Sequence, residues 1–378
     1  MTISAANARK LIVLCDGSSN STARSDESNS TVIYKLNQAF ANGGQGEQIS
    51  FYFSGVGTRG DSFAAVTGEG INDIIADAYI NLSSNYIEGD LIYIFGFSRG
   101  AVAARCLAGL ISHVGLLLDS KLSKRFPEVW KAYEKFADPS AQQEADDLLT
   151  ALSGDLHHPG IRFLGVFDSV PGDGYDKLKL MKVHPIKDLS LPKAVEHAVH
   201  LLSVDDNRIP SFQPLLWEGA TDEDQTLEQI WMPGVHADVG GCSNGVFIGN
   251  LSVLTMIELL NSYCPEIQID NLFVSRLEDK TFNRNAFGLQ ITNERSGFWR
   301  KLLPKKKRSA KGGINQTRHY LLQQIAGRRL LIRGKENQYC ARHITSTVSG
   351  KHVTRYSPQI DAVVAQLGNQ VPCCGHCN

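Results

Sequence analysis

No run of 18 consecutive apolar residues occurs in this chain, so no transmembrane helix is expected from it. It also lacks a secretory signal core. Met1 to Lys10 is polar, and the apolar run that follows, Leu11 to Cys15, is too short for one and reads as a strand. Synthesis in the cytoplasm without a signal peptide is the expectation. The eight cysteines are Cys15, Cys106, Cys242, Cys264, Cys340 and a terminal group of Cys373, Cys374 and Cys377. That scatter suggests no disulfide framework and points to a reducing compartment. Charge is sparse: 20% of residues are charged and the formal net charge is −1. With 42% hydrophobic residues, a wholly disordered chain, a coiled coil and a collagen-like repeat are excluded. The 378 residues suit one large α/β domain with insertions, or two average domains.

The near-zero net charge hides an asymmetry. Residues 300–355 hold 15 Lys and Arg against one acid, Glu336, while the rest of the chain carries 23 basic and 38 acidic residues. A segregated basic block is a handle for a polyanion, and an anionic membrane surface is the expected partner. No nucleic-acid module is recognisable and aromatics are sparse in the block, so no nucleic acid is expected. Residues 300–315, rich in Lys, Gly and Pro, read as an exposed, mobile loop, with Lys305–Arg308 as its solvated basic run.

Short, nearly continuous apolar runs recur at Leu11–Cys15, Ile49–Phe53, Leu91–Phe95, Ile161–Phe167 and Gln229–Met232. Runs of this kind are strands buried on both faces of a parallel sheet. Helical patterns lie between them: Ile71 to Tyr86, Ala101 to Leu118, Glu128 to Leu152 and Leu251 to Tyr263. Lys193 to Leu202, carrying His197 and His200, reads as helix-like too. The alternation predicts a doubly wound three-layer α/β fold with a mostly parallel central sheet and insertions. The catalytic core is expected over 9–265, with 266–378 as a basic C-terminal region packed on it.

The sharpest motif is Gly96-Phe97-Ser98-Arg99-Gly100, a G-x-S-x-G directly after a predicted strand and directly before a predicted helix. This context is that of a nucleophile elbow, which holds the serine in a strained turn at the helix N-terminus. Ser98 is the candidate nucleophile, and the Arg99 N–H points toward the developing oxyanion. A serine nucleophile needs a base, and the base needs an orienting acid. The apolar run Phe163–Phe167 ends abruptly in Asp168, the candidate acid. His236 lies in a Pro/Gly-rich loop past a later strand and is the candidate base. His197 and His200 are the rivals, read as packing or hydrogen-bonding residues. Asp238, two residues from His236, reads as a loop-stabilising or substrate-contacting group. After the first strand, the N–H of Gly17 or Ser18 is the candidate second oxyanion donor, with Asp16 as an alternative cap of that loop.

The segments CDGSSN, FYFSGVGTRG, GEGI, GFSRGAVAAR, LGVFDSV, HLLSVDDNR with PLLW, and WMPGVHADVGG occur in this order, followed by HITSTVSGKHVTRYSP. Together they resemble a family of uncharacterised α/β hydrolase domains that includes type VI secretion phospholipase effectors of the Tle class. The resemblance runs from about residue 9 to 360. It implies a Ser-Asp-His triad at Ser98, Asp168 and His236 and action on phospholipid acyl esters, with no cofactor or metal. It also implies export through a contractile secretion system and a possible immunity protein. Cys15 stands where Phe is common, Ser18 and Ser169 where Thr is common, and Cys242-Ser243 replaces a Gly-Tyr ending. The alternatives are a soluble carboxylesterase or thioesterase, and a non-catalytic membrane-binding module.

Two motifs are set aside. Gly55-Val56-Gly57-Thr58-Arg59-Gly60 satisfies a dinucleotide fingerprint, but the helix begins only near Gly70 and the next strand ends in Gly96, with no acid for a ribose. The terminal Cys373-Cys374-Gly375-His376-Cys377 has metal-ligand residue types, but adjacent ligands at a chain end suit one tetrahedral site poorly.

Overall fold

The apolar runs become neighbouring strands of a single parallel sheet. In the computed structural model this sheet holds β1 (Lys10–Cys15), β2 (Gln48–Phe53), β3 (Leu91–Phe97), β4 (Ile161–Phe167), β5 (Val195–Ser203), β6 (Thr226–Met232), β7 (Gln316–His319) and β8 (Gly350–His352). Their spatial order is β8-β7-β6-β5-β4-β3-β1-β2. All the pairings are parallel. The structure describes residues 8–17, 30–41, 48–55, 69–136, 138–171, 190–208, 212–219, 221–243, 246–283, 289–292 and 306–367. The terminal Cys/His group and most of the dinucleotide-like motif lie outside them.

Side chains alternate along each strand, so the sheet separates two cores. Ile12, Leu14, Tyr93, Phe95 and Phe97 face a layer with α1 (Val32–Ala41) and α6 (Val246–Tyr263). Leu11, Val13, Cys15, Ile92 and Ile94 face α2 (Glu69–Asn85), α3 (Arg99–His113) and α4 (Asp119–Phe136). Both faces are covered, which is why these strands read as unbroken apolar runs. Helix α6 is long and apolar enough to cross a membrane by length and composition, with mean hydropathy 1.3 over 18 residues. Its apolarity serves the core instead: Phe247 to Ile257 are all buried.

Three expectations change. The helix read over Glu128–Leu152 is two helices, α4 and α5 (Gln142–Leu152). Between them Pro139 opens a short 3₁₀ turn, capped by the Asp138 carboxylate accepting from Ser140 N at 3.0 Å. The helix-like Lys193–Leu202 is strand β5. Its residues Val195, Ala198 to Leu202 are buried, and a nearly continuous buried run fits a central strand as well as a helix. The sheet also does not end near residue 265. β7 pairs with β6, and β8 with β7, so the C-terminal region extends the central sheet.

The chain switches direction at β1. It runs outward to β2, returns past β1 to β3, and then proceeds stepwise to β8. Ligands of such sheets bind at the carboxyl ends of the strands beside this switch. Register places those ends level: Cys15 opposite Gly96, Phe97 opposite Phe167, Phe167 opposite Leu201, and Ser203 opposite Met232. Asp16, Ser98 and Asp168 therefore emerge along one edge.

His200, in the middle of β5, is fully buried, and its Nε2 accepts from Ser169 N at 3.1 Å. Burial, reinforced by the Arg105 charge, holds its imidazolium back to about 3. The folded state thus refuses a proton that the unfolded chain accepts near pH 6.5. This part of the stability is present above pH 6.5 and is lost as pH falls from there toward 3, by roughly 2 kcal/mol at pH 5. Chemical denaturation from pH 8 to 5 is expected to show a shallower loss in His200→Gln than in the wild type. Parallel curves would contradict this.

Candidate active site

The motif Gly96-Phe97-Ser98-Arg99-Gly100 forms a hairpin-tight join between β3 and α3. Ser98 has φ 60° and ψ −125°, a backbone region that residues with a side chain rarely adopt. Both glycines are there for space. A Cβ on Gly96 would meet Gly100 O at 2.5 Å, and one on Gly100 would meet Cys15 O at 2.3 Å and Asp16 O at 2.4 Å. The helix start thus presses against the end of β1, across the topological switch. Ser98 N donates to Phe167 O at 3.0 Å, which ties the elbow to the end of β4.

Ser98, His236 and Asp168 meet at this edge although they are far apart in the chain. Ser98 Oγ lies 2.9 Å from His236 Nε2, and His236 Nδ1 lies 2.6 Å from Asp168 Oδ2. An ionised carboxylate only accepts, so Nδ1 carries the ring proton and Nε2 presents its lone pair to the Ser98 hydroxyl. Two aromatic rings pack against the imidazole. Phe97 stacks on it at 4.8 Å, and Phe212 meets it edge-on at 5.1 Å. Its backbone N–H donates to Asp206 Oδ2 at 3.3 Å. Asp206 is itself paired with Arg208, whose guanidinium sits 3.5 Å over the Phe212 ring.

Asp168 is wholly buried, with φ 43°. Its Oδ1 accepts from Ser203 N at 2.9 Å and Arg308 Nη1 at 2.5 Å. Its Oδ2 accepts from Ser203 Oγ at 3.1 Å, Arg308 Nη2 at 2.9 Å and His236. Burial alone would raise this carboxyl. The Arg308 charge and the hydrogen bonds from His236 and Arg308 outweigh it and hold the group well below the usual carboxylate range. Arg308 is a correction to the expected exposed loop: its side chain is fully buried. Lys306 and Lys307 beside it are exposed.

The loop groups fall out differently. Asp238 is buried and accepts from Val235 N and Thr292 N, each at 3.0 Å, so it braces the turn that presents His236. Asp16 is buried and accepts from Gly17 N at 2.6 Å, Thr31 Oγ1 at 2.7 Å and Tyr52 at 2.5 Å. Its burial, partly offset by those bonds, pushes its carboxyl up to about 6. The Gly17 N–H is therefore directed at Asp16 rather than standing open for an oxyanion. Arg99 is the first residue of α3, while Ser18 lies outside the described residues. The rival His197 is half-buried on β5, with Nδ1 2.8 Å from Thr226 Oγ1 and its ring stacked on Tyr263. The hydrogen-bond partner of Ser98 Oγ is His236, not His197 or His200.

A parallel sheet with a strained serine elbow at its switch point defines an α/β-hydrolase-like protein. Residues 9–259 match the type VI secretion system phospholipase effector Tle1-like catalytic domain, and the chain belongs to this family. The uncharacterized protein YEL023C of Saccharomyces cerevisiae is 32% identical over 227 residues. That match covers 53% of this chain but only 31% of the yeast protein, so the chain spans under a third of this relative. An uncharacterized protein from Pseudomonas aeruginosa, known from a crystal structure, aligns over 95% of this chain and 62% of its own, with 15% identity and a TM-score of 0.41.

The elbow geometry carries a stability prediction. Ser98→Gly frees the strained position and is expected to stabilise the fold by about 1 kcal/mol or more, while Ser98→Ala keeps the strain. Equal melting of the two variants would contradict a strained elbow.

Proposed function

We propose that the chain hydrolyses acyl esters of glycerophospholipids through Ser98, His236 and Asp168. The observation that carries this reading is the unbroken hydrogen-bond chain from Ser98 Oγ to His236 to Asp168, at 2.9 and 2.6 Å, on a strained elbow. Ser98 Oγ attacks the ester carbonyl as His236 Nε2 takes its proton, and Asp168 stabilises the imidazolium that forms. The tetrahedral oxyanion lies at the N-terminus of α3, where the Arg99 N–H and the helix dipole favour negative charge. Collapse expels the lysophospholipid alkoxide, which takes the proton from His236. Water, deprotonated by His236, then releases the fatty acid and restores Ser98.

The family supplies the substrate class, since its members are described as phospholipase effectors. The exposed Lys306, Lys307, Lys311, Arg329 and Lys335 supply a means of holding an anionic lipid surface. Each basic residue near such a surface contributes about 1 kcal/mol. Export by a type VI apparatus, and neutralisation by a cognate immunity protein, belong to the same reading.

The test is release of fatty acid and lysophospholipid from mixed vesicles containing anionic lipid. Wild type is expected to release both. Ser98→Ala should lose several orders of magnitude of turnover, and Asp168→Asn about 10⁴-fold. Undiminished release by folded Ser98→Ala would overturn the assignment. Release from short soluble esters but never from vesicles would favour a soluble esterase.

A further inference from the structure

The base of the site holds a charge that the reaction scheme above does not use. Arg308 lies beyond residues 9–259, the part of the chain matched by the family. Its side chain is fully buried and engages both carboxylate oxygens of Asp168, while Nη1 also donates to Ser203 O at 2.8 Å. A buried ion pair is a poor source of stability, because desolvating two charges costs about as much as their attraction returns. Its position therefore suggests another role.

Resting on the Ser98–His236–Asp168 reading, we infer that Arg308 is a positioning residue that fixes the Asp168 carboxylate plane and restrains protonation of His236 at low pH. Two consequences of the geometry lead there. The guanidinium fork is rigid and planar, so two parallel bonds fix the carboxylate's orientation and with it the direction of the His236 Nδ1 bond. Charge balance gives the second. Without Arg308, protonated His236 would face one unmatched carboxylate, Asp168. With Arg308, that carboxylate is already neutralised, and an imidazolium adds net positive charge to a buried site.

The other charged groups around the ring do not undo this balance. Asp206, which accepts from the His236 backbone, is matched by Arg208. Asp205 is bound by Gly234 N and Tyr339 Oη, and burial pushes it up toward 6, away from the charged form. Asp238 faces Val235 N and Thr292 N, and burial raises it also. His200 lies in β5 and stays neutral. Among the described residues, Phe97 and Phe212 also pack on the ring, and both are apolar. The C-terminal region thus completes the site that residues 9–259 begin.

The experiment measures kcat and kcat/KM against pH with p-nitrophenyl butyrate, a soluble ester that separates chemistry from lipid binding. It uses the full-length wild type, Arg308→Gln, Arg308→Lys and Ser98→Ala, with melting curves for each. Arg308→Gln removes the charge, and its acid limb is expected to move up by about one pH unit. Arg308→Lys keeps the charge but loses the fork. Its acid limb should stay in place while kcat falls about tenfold or more with little change in KM. A folded Arg308→Gln with an unmoved acid limb would overturn the inference. Should that variant not fold, wild-type kcat in Arg308→Lys would overturn it. Activity surviving in Ser98→Ala would instead sink the underlying triad reading, whereas inactive Ser98→Ala with unaltered Arg308 variants sinks only the role of Arg308.

Discussion

A single buried carboxylate organises this molecule. Asp168 sits at the end of β4, entirely out of solvent, and an unpaired charge there would be severely destabilising. The fold answers with donors from three directions: Ser203 from the adjacent strand β5, His236 from the turn after β6, and Arg308 from the C-terminal region. Those bonds position the imidazole against Ser98. They also anchor the chain segment that leads into β7. Site assembly and docking of the C-terminal region are thus one energetic event.

The second constraint is the sharp join at Ser98. Strand and helix approach so closely that only glycine fits at positions 96 and 100, and the serine between them takes up the strain. The strain persists because both sides are fixed: β3 lies in a sheet buried on both faces, and α3 is packed along nearly its whole length. A local cost at the site is thus sustained by the two cores, as expected where geometry serves chemistry.

Much of this was legible in the sequence, for identifiable reasons. Central parallel strands advertise themselves as unbroken apolar runs, and the glycines of the elbow mark a steric demand that no other residue meets. The order serine, acid, histidine along alternating elements then pointed to Ser98, Asp168 and His236, the three side chains that the structure brings together. β5 reads as helix-like because a mostly buried run of nine residues containing two histidines fits either periodicity. β7 and β8 were missed because they are short and polar, Gln316–His319 and Gly350–His352, and owe their pairing to the existing sheet edge. Arg308 was hidden in the run Lys305–Arg308. Nothing local distinguishes a buried arginine from its solvated neighbours, since its partner lies 140 positions away. Ser203 and Asp206 were invisible as site residues for the same reason: their roles exist only through register and loop geometry.

The most direct test of the central claim is covalent. The protein is incubated with an alkyl fluorophosphonate, which reacts with serines activated by a neighbouring base, and the adduct is located by mass spectrometry of peptides. Stoichiometric modification of Ser98, absent in folded Asp168→Asn and His236→Ala, is the result this account predicts. No adduct on Ser98 in a protein that still cleaves phospholipid vesicles would contradict it.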